Sequence, residues 1–162
     1  MKTLELKIEI GFCSVDELKE ADRELVEAAR QATANSYSPY SHFSVGAALR
    51  LSDGEIIIGA NQENAAFPSG LCAERTAMFA AQAQCPSQSV VALAIAAKNN
   101  GVPTARPVAP CGACRQSLIE IEERYKRPMK VLLCGTEGVY IVNSVKDLLP
   151  LSFIGDSMIE TL

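Results

Sequence analysis

Residues 90–97 form an unbroken run of eight apolar side chains, Val-Val-Ala-Leu-Ala-Ile-Ala-Ala. The run is well short of the roughly 20 apolar residues that a membrane-spanning helix needs. It has the length of a strand, and a strand without a polar face must be covered on both sides. Helical spacing on either side supplies the cover. Leu18, Ala21, Leu25, Ala28, Ala29 and Ala32 recur at the helical period. They predict a first helix over 15–35, with Ser14 and Glu17 placed as a capping box. Further helices are expected over 72–83 and from Cys111 to before Pro128. Strands are expected at 45–51, 56–59, 130–134 and 139–142, with Asp53-Gly54 turning the first hairpin. Residues 99–110 read as a loop, and Ser144 with Asp147 as the cap of a short last helix. The order implies an α/β fold: a three-layer α/β/α sandwich around a mixed sheet of about five strands. Residues 1–12 read as an N-terminal extension, either an added strand or a loose arm.

Length and charge narrow the function. A chain of 162 residues is the size of one domain. Its net charge of −4 argues against a nucleic-acid partner, because phosphate binding relies on Lys and Arg displacing counterions. The densest basic stretch, Arg124, Lys126, Arg127 and Lys130, has Glu122 and Glu123 beside it and reads as a solvated helix end. No secretory leader follows Met1-Lys2, and no membrane segment is expected. Six cysteines without a leader read as metal ligands plus buried thiols, which makes the cytoplasm the expected compartment.

Three of those cysteines stand out. Cys72 precedes Ala73 and Glu74 at one helix start, and Cys111 and Cys114 lie three apart at another. That separation puts two sulfurs on one helical face, and helix N-termini favour thiolate. Three protein ligands leave a tetrahedral zinc one open position, the pattern of a catalytic rather than a structural site. Zinc held this way can acidify a water molecule, and Glu74 is then placed to move protons. Three thiolates also carry excess negative charge, which Arg75 can offset from behind the sulfurs. A lone Cys-x-x-Cys would equally suit a redox pair or half of a structural zinc site; Cys-Ala-Glu at a separate helix start distinguishes the catalytic reading. Cys13, Cys85 and Cys134 read as buried or partly buried thiols, and His42 as a loop residue.

The chain resembles the small three-cysteine cytidine deaminases. The resemblance is carried by 37–49 (Tyr-Ser-Pro-Tyr-Ser-His-Phe-Ser-Val-Gly-Ala-Ala-Leu), 61–67 (Asn-Gln-Glu-Asn-Ala-Ala-Phe), 72–77 (Cys-Ala-Glu-Arg-Thr-Ala), 110–116 (Pro-Cys-Gly-Ala-Cys-Arg-Gln) and Leu148-Leu149-Pro150. It implies one zinc per chain on Cys72, Cys111 and Cys114, with Glu74 as proton shuttle. It implies that Asn61 and Glu63 bind the ribose of a nucleoside, that Phe43 packs near the pyrimidine, and that backbone groups of Ala73 and Ala109 contact the base. Phe153 resembles an aromatic that reaches a neighbouring subunit, which implies a homotetramer with shared active sites. Phe67 stands where many relatives carry tyrosine, and the first ten or so residues lie outside the compact family core.

Two other deaminase readings use the same cysteines. One acts on another aminopyrimidine nucleoside such as blasticidin S; the Asn61-x-Glu63 pair, suited to a ribose, argues against it. The other acts on polynucleotides, which would need a basic groove and aromatic platforms. A purely structural zinc in an interaction domain would leave Glu74 without a purpose.

Overall fold

The computed structural model describes residues 1–158. Its central strand is β4 (Val90–Asn99). Leu93 and Ile95 of β4 enter one core, with Ala77, Met78, Leu118 and Ile119 from α2 (Ala73–Gln84) and α3 (Gly112–Tyr125). Ala92, Ala94 and Ala96 enter the other, beneath Leu25, Val26 and Ala29 of α1 (Glu20–Ala32). Each of the larger side chains, fully buried, contributes about 1.5–3 kcal/mol. The result is the expected three-layer sandwich, with two helices on one face of the sheet and one on the other.

β4 runs antiparallel to β2 (Phe43–Leu51) and parallel to β6 (Lys130–Cys134). β3 (Ile56–Ala60) lies outside β2, and β7 (Val139–Val142) outside β6. The sheet has seven strands where about five are expected. The two additions are β1 (Ile10–Cys13), which adds to the free edge of β7, and β5 (Val102–Pro103), which folds back onto β4. β5 arises inside the expected loop because Asn100 and Gly101 both take positive φ, 48° and 80°. That pair of angles is what a tight two-residue hairpin requires.

The first helix is shorter than its periodicity predicts. Glu17 accepts from the backbone N–H (2.7 Å) and hydroxyl (2.8 Å) of Ser14, but these residues close only a 3₁₀ turn, Val15–Glu17. Leu18 and Lys19 then become extended, at ψ 147° and 151°. Arg23 supplies the donors that a continuous helix would have provided, to the carbonyls of Asp16 (3.0 Å) and Leu18 (3.1 Å). The break leaves Leu18 buried in the core under α1. A further 3₁₀ turn, Thr33–Asn35, follows α1. The short last helix is likewise a 3₁₀ turn, Val145–Leu148, in which the Ser144 hydroxyl accepts from the N–H of Lys146.

One glycine fixes the site-bearing helix. A Cβ on Gly59 of β3 would fall 2.4 Å from the nitrogen of Ala77 and 2.7 Å from the carbonyl oxygen of Ala73. Only a glycine lets the first turns of α2 sit this closely on the sheet. No helix among the described residues is long and apolar enough to cross a membrane.

Candidate active site

α2 and α3 begin at cysteines, and both beginnings meet at one place. Cys72 and Cys111 are the N-cap residues, with extended backbone (ψ 153° and 167°). Their carbonyls accept from the N–H groups of Thr76 and Arg115, each at 2.9 Å. Cys114 lies in the first turn of α3 and is fully buried. The three sulfurs lie within 4.8 Å of one another, and those of Cys72 and Cys111 are 3.9 Å apart. Arg115 steadies the approach to α3, donating to the carbonyls of Pro110 (2.9 Å) and Leu148 (2.6 Å).

The cluster fits the metal that the sequence suggests. A tetrahedral zinc with sulfur ligands at about 2.3 Å holds those sulfurs about 3.8 Å apart, close to the spacing of Cys72 and Cys111. Arg75 brings Nη2 to 3.7 Å from Cys72 Sγ, while its Nε is buried without an acceptor. Within the chain itself, a hydrogen bond from the Cys114 thiol and the nearby Arg75 guanidinium hold Cys72 down to about 5. Cys114, facing that thiolate from a buried position, is pushed up and keeps its proton. Thiols must lose their protons to bind a metal, so loading this site releases protons.

Glu74 follows in the first turn of α2 and is only 5% exposed. Burial raises its pKa above the ordinary carboxylate value, and the Cys72 thiolate adds to the rise. A bound dication would act in the opposite direction.

Cys72 and Arg75 line a cleft of about 580 Å³, together with Asn61 and Glu63. A volume of this order suits a small organic ligand. Both polar side chains are locked in place. Asn61 Oδ1 accepts from Ser36 Oγ (2.6 Å) and the N–H of Val45 (2.7 Å), and its Nδ2 donates to the Phe43 carbonyl (2.9 Å). Glu63 accepts from the Ser41 hydroxyl and from the N–H groups of Tyr40 (2.9 Å) and Ser41 (3.2 Å). These bonds, the Ser41 hydroxyl foremost, keep its carboxyl below the usual range. Tyr40 and Phe67 also line the cleft and meet edge to face at 5.7 Å.

Of the expected site residues, Glu74, Cys111, Cys114, Phe43, Ala73, Ala109 and Phe153 lie outside this lining. Phe43 is half-buried at the start of β2, Ala73 is buried, and Ala109 is exposed before Pro110. Phe153 is 59% exposed, and its carbonyl accepts from Gln116 Nε2 at 2.7 Å. Ser36 and Ser41 are supporting residues that the sequence does not reveal, since their partners lie 25 and 22 positions away. His42 is an exposed loop residue with φ 55°. Cys13 and Cys85 are half-buried and Cys134 is buried, its thiol pushed up to about 12 by burial.

The sequence profile described as the cytidine and deoxycytidylate deaminase zinc-binding region matches residues 19–127. A cytidine deaminase of Halalkalibacterium halodurans is 44% identical over 134 residues, which is 83% of this chain and 95% of the relative. One from Sporosarcina psychrophila is 41% identical over 129 residues, 80% of this chain and 88% of the relative. The 1.6 Å crystal structure of cytidine deaminase from Burkholderia pseudomallei superposes with a TM-score of 0.67 at 42% identity, covering 80% of this chain and 97% of that one. Sequence profile, relatives and superposed structure agree with the paired helix starts in placing this chain in the cytidine deaminase family.

Proposed function

We propose that the chain catalyses the zinc-dependent hydrolytic deamination of cytidine and 2′-deoxycytidine to uridine and 2′-deoxyuridine, with ammonia as the second product. The observation that carries this reading is the buried Glu74 beside the sulfurs of Cys72 and Cys114, with Cys72 reaching the cleft that presents Asn61 and Glu63. Cys72, Cys111 and Cys114 would hold one zinc per chain, which when bound supplies a Lewis acid that makes water nucleophilic near neutral pH.

The chain's own residues account for the remaining steps. Glu74 takes a proton from the attacking water and places it on the ring nitrogen of the pyrimidine. Glu74 then takes the remaining proton of the added hydroxyl and delivers it to the amino group as the C–N bond breaks and the carbonyl forms, so that one water is consumed and one ammonia released. Burial, which favours the protonated form of a carboxyl group, suits a side chain that must hold a proton in mid-turnover. Asn61 and Glu63 bind the ribose hydroxyls, and their fixed bonds orient them before substrate arrives. Phe43 packs near the base, and backbone groups of Ala73 and Ala109 contact it. Arg75 balances the negative charge of the sulfurs.

The same reading extends to assembly and setting. Phe153, exposed in the single chain, reaches a neighbouring subunit in a homotetramer with shared active sites. The enzyme works in the cytoplasm in pyrimidine salvage, on a free nucleoside, without nucleic-acid or membrane partners. An absorbance assay with cytidine and 2′-deoxycytidine tests the proposal, run before and after chelator treatment and again after zinc is restored. The expected result is turnover of both nucleosides, lost with the metal and recovered with it. Zinc-loaded protein that leaves both nucleosides unchanged would overturn the substrate assignment.

A further inference from the structure

Residues 4–12 read Leu-Glu-Leu-Lys-Ile-Glu-Ile-Gly-Phe, with every even position apolar and every odd position charged or glycine. Strict alternation over this length is the pattern of a strand with one covered face. The structure covers that face only in part: Phe12 meets Tyr140 at 5.2 Å, and Leu6 and Ile8 border a hollow with Leu149 and Ile154. Leu4, Leu6, Ile8, Ile10 and Phe12 are 71%, 57%, 40%, 54% and 57% exposed. Only the last part of the segment is paired, as β1 against β7. β1 ends the sheet, so its outer edge offers backbone N–H and C=O groups to another strand. The segment also lies ahead of the family match, which begins at residue 19.

We infer that this arm pairs with the same arm of a second copy, antiparallel about a two-fold axis through Ile8. The occupant is chosen by charge and register. With Ile8 opposite its twin, Leu6 faces Ile10, Leu4 faces Phe12, and Lys7 faces Glu9 in two symmetry-related pairs. All five apolar residues then lie on one face of the ribbon. An axis through Lys7 would instead set Lys7 against Lys7 and Glu5 against Glu9, and like charges directly opposite are destabilising. An axis through Glu9 opposes two carboxylates. An axis through Leu6 restores Glu5 with Lys7 but places Lys2 against Ile10. Shifts by a single residue put polar side chains opposite apolar ones and turn the wrong face inward. Lys7 and Glu9 already lie 2.5 Å apart on one face of the arm, both largely exposed, and in the pair each gains a partner across the axis. None of these residues lines the catalytic cleft, so the inference stands apart from the proposed chemistry.

A charge swap tests both the partner and the register. The full chain, Lys7→Glu, Glu9→Lys and an equimolar mixture of the two variants are compared by sedimentation equilibrium at one concentration. Either substitution alone sets like charges against each other across the Ile8 axis, whereas the mixture restores opposite charges in the mixed pair. The expected result is a full-chain assembly heavier than that of either variant alone, with the mixture returning to the full-chain mass. Equal masses for all four samples would overturn the pairing and leave the edge to its own chain or to an unlike partner. Variants of lower mass whose mixture fails to recover would overturn the Ile8 register.

Discussion

The helical layer of α2 and α3 buries two carboxylates, and it treats them in opposite ways. Glu122, near the end of α3, is 4% exposed and tied off at both oxygens. Its Oε1 accepts from the N–H groups of Met129 (2.7 Å) and Val145 (2.8 Å), and its Oε2 from the Ser144 hydroxyl (2.8 Å). Glu74, in the first turn of α2, is 5% exposed and faces the sulfurs of Cys72 and Cys114 instead. A carboxylate whose lone pairs are filled by backbone donors clamps chain segments together. One that faces thiols, beside a cysteine that lines the cleft, retains capacity for a substrate's protons. Burial alone therefore does not mark a functional acid; the identity of its neighbours does.

The largest expected effect is on Glu74→Gln. A positioned acid–base group contributes about 10²–10⁴-fold, and kcat should fall by that factor while zinc content stays at one per chain and Tm holds or rises. Steady-state kinetics beside metal analysis checks this. A variant with near-normal kcat would remove Glu74 from the chemistry and erase the contrast with Glu122.

Next is Glu122→Ala, which should act on stability and leave kcat per folded molecule unchanged. It strands two buried N–H groups, at a cost on the order of 3 kcal/mol, read as a lower midpoint in urea unfolding. Glu122→Gln should recover most of that loss, because its amide oxygen can still accept from Met129 and Val145. If Glu122→Ala lowered kcat as Glu74→Gln does, with stability intact, the division between clamp and shuttle would fail.

Local rules made Glu74 legible and hid Glu122. Cys72, Glu74, Cys111 and Cys114 reveal themselves because helix starts and three-residue spacings are local features. The doubly covered β4 and the layer order follow from periodicity in the same way. The Asn100-Gly101 hairpin was also available to a local reading, since such a pair favours positive φ, but a run containing Pro103 and Pro107 suggests a loop first. Glu122 is different: its donors come from 7 and 23 positions away, and no local pattern announces them. The same distance hides Ser36 behind Asn61 and Ser41 behind Glu63. The break at Leu18 depends on Arg23 reaching back to two carbonyls, a tertiary choice that overrides helical spacing. β1 depends on whether β7 has a free edge, which only the assembled sheet determines.

The smallest effect belongs to Glu123, the neighbour of Glu122 and a third kind of carboxylate. Lys146 (2.6 Å) and Lys126 (2.9 Å) bracket it, and together, Lys146 foremost, they hold its pKa down to about 2. The folded-state value lies below the ordinary carboxylate value, so the ionised form favours folding. That contribution is complete above about pH 4.5 and disappears as pH falls towards about 2. Glu123→Gln should therefore lower Tm slightly at neutral pH, converge with the parent protein in acid, and converge again in 1 M salt, where the Debye length shrinks to about 3 Å. Thermal melts across pH and salt check the pattern. A Tm difference that persisted unchanged in acid and in high salt would mean that Glu123, like Glu122, acts through packing and hydrogen bonding. Solvent-screened charge would then no longer set it apart from its buried neighbour.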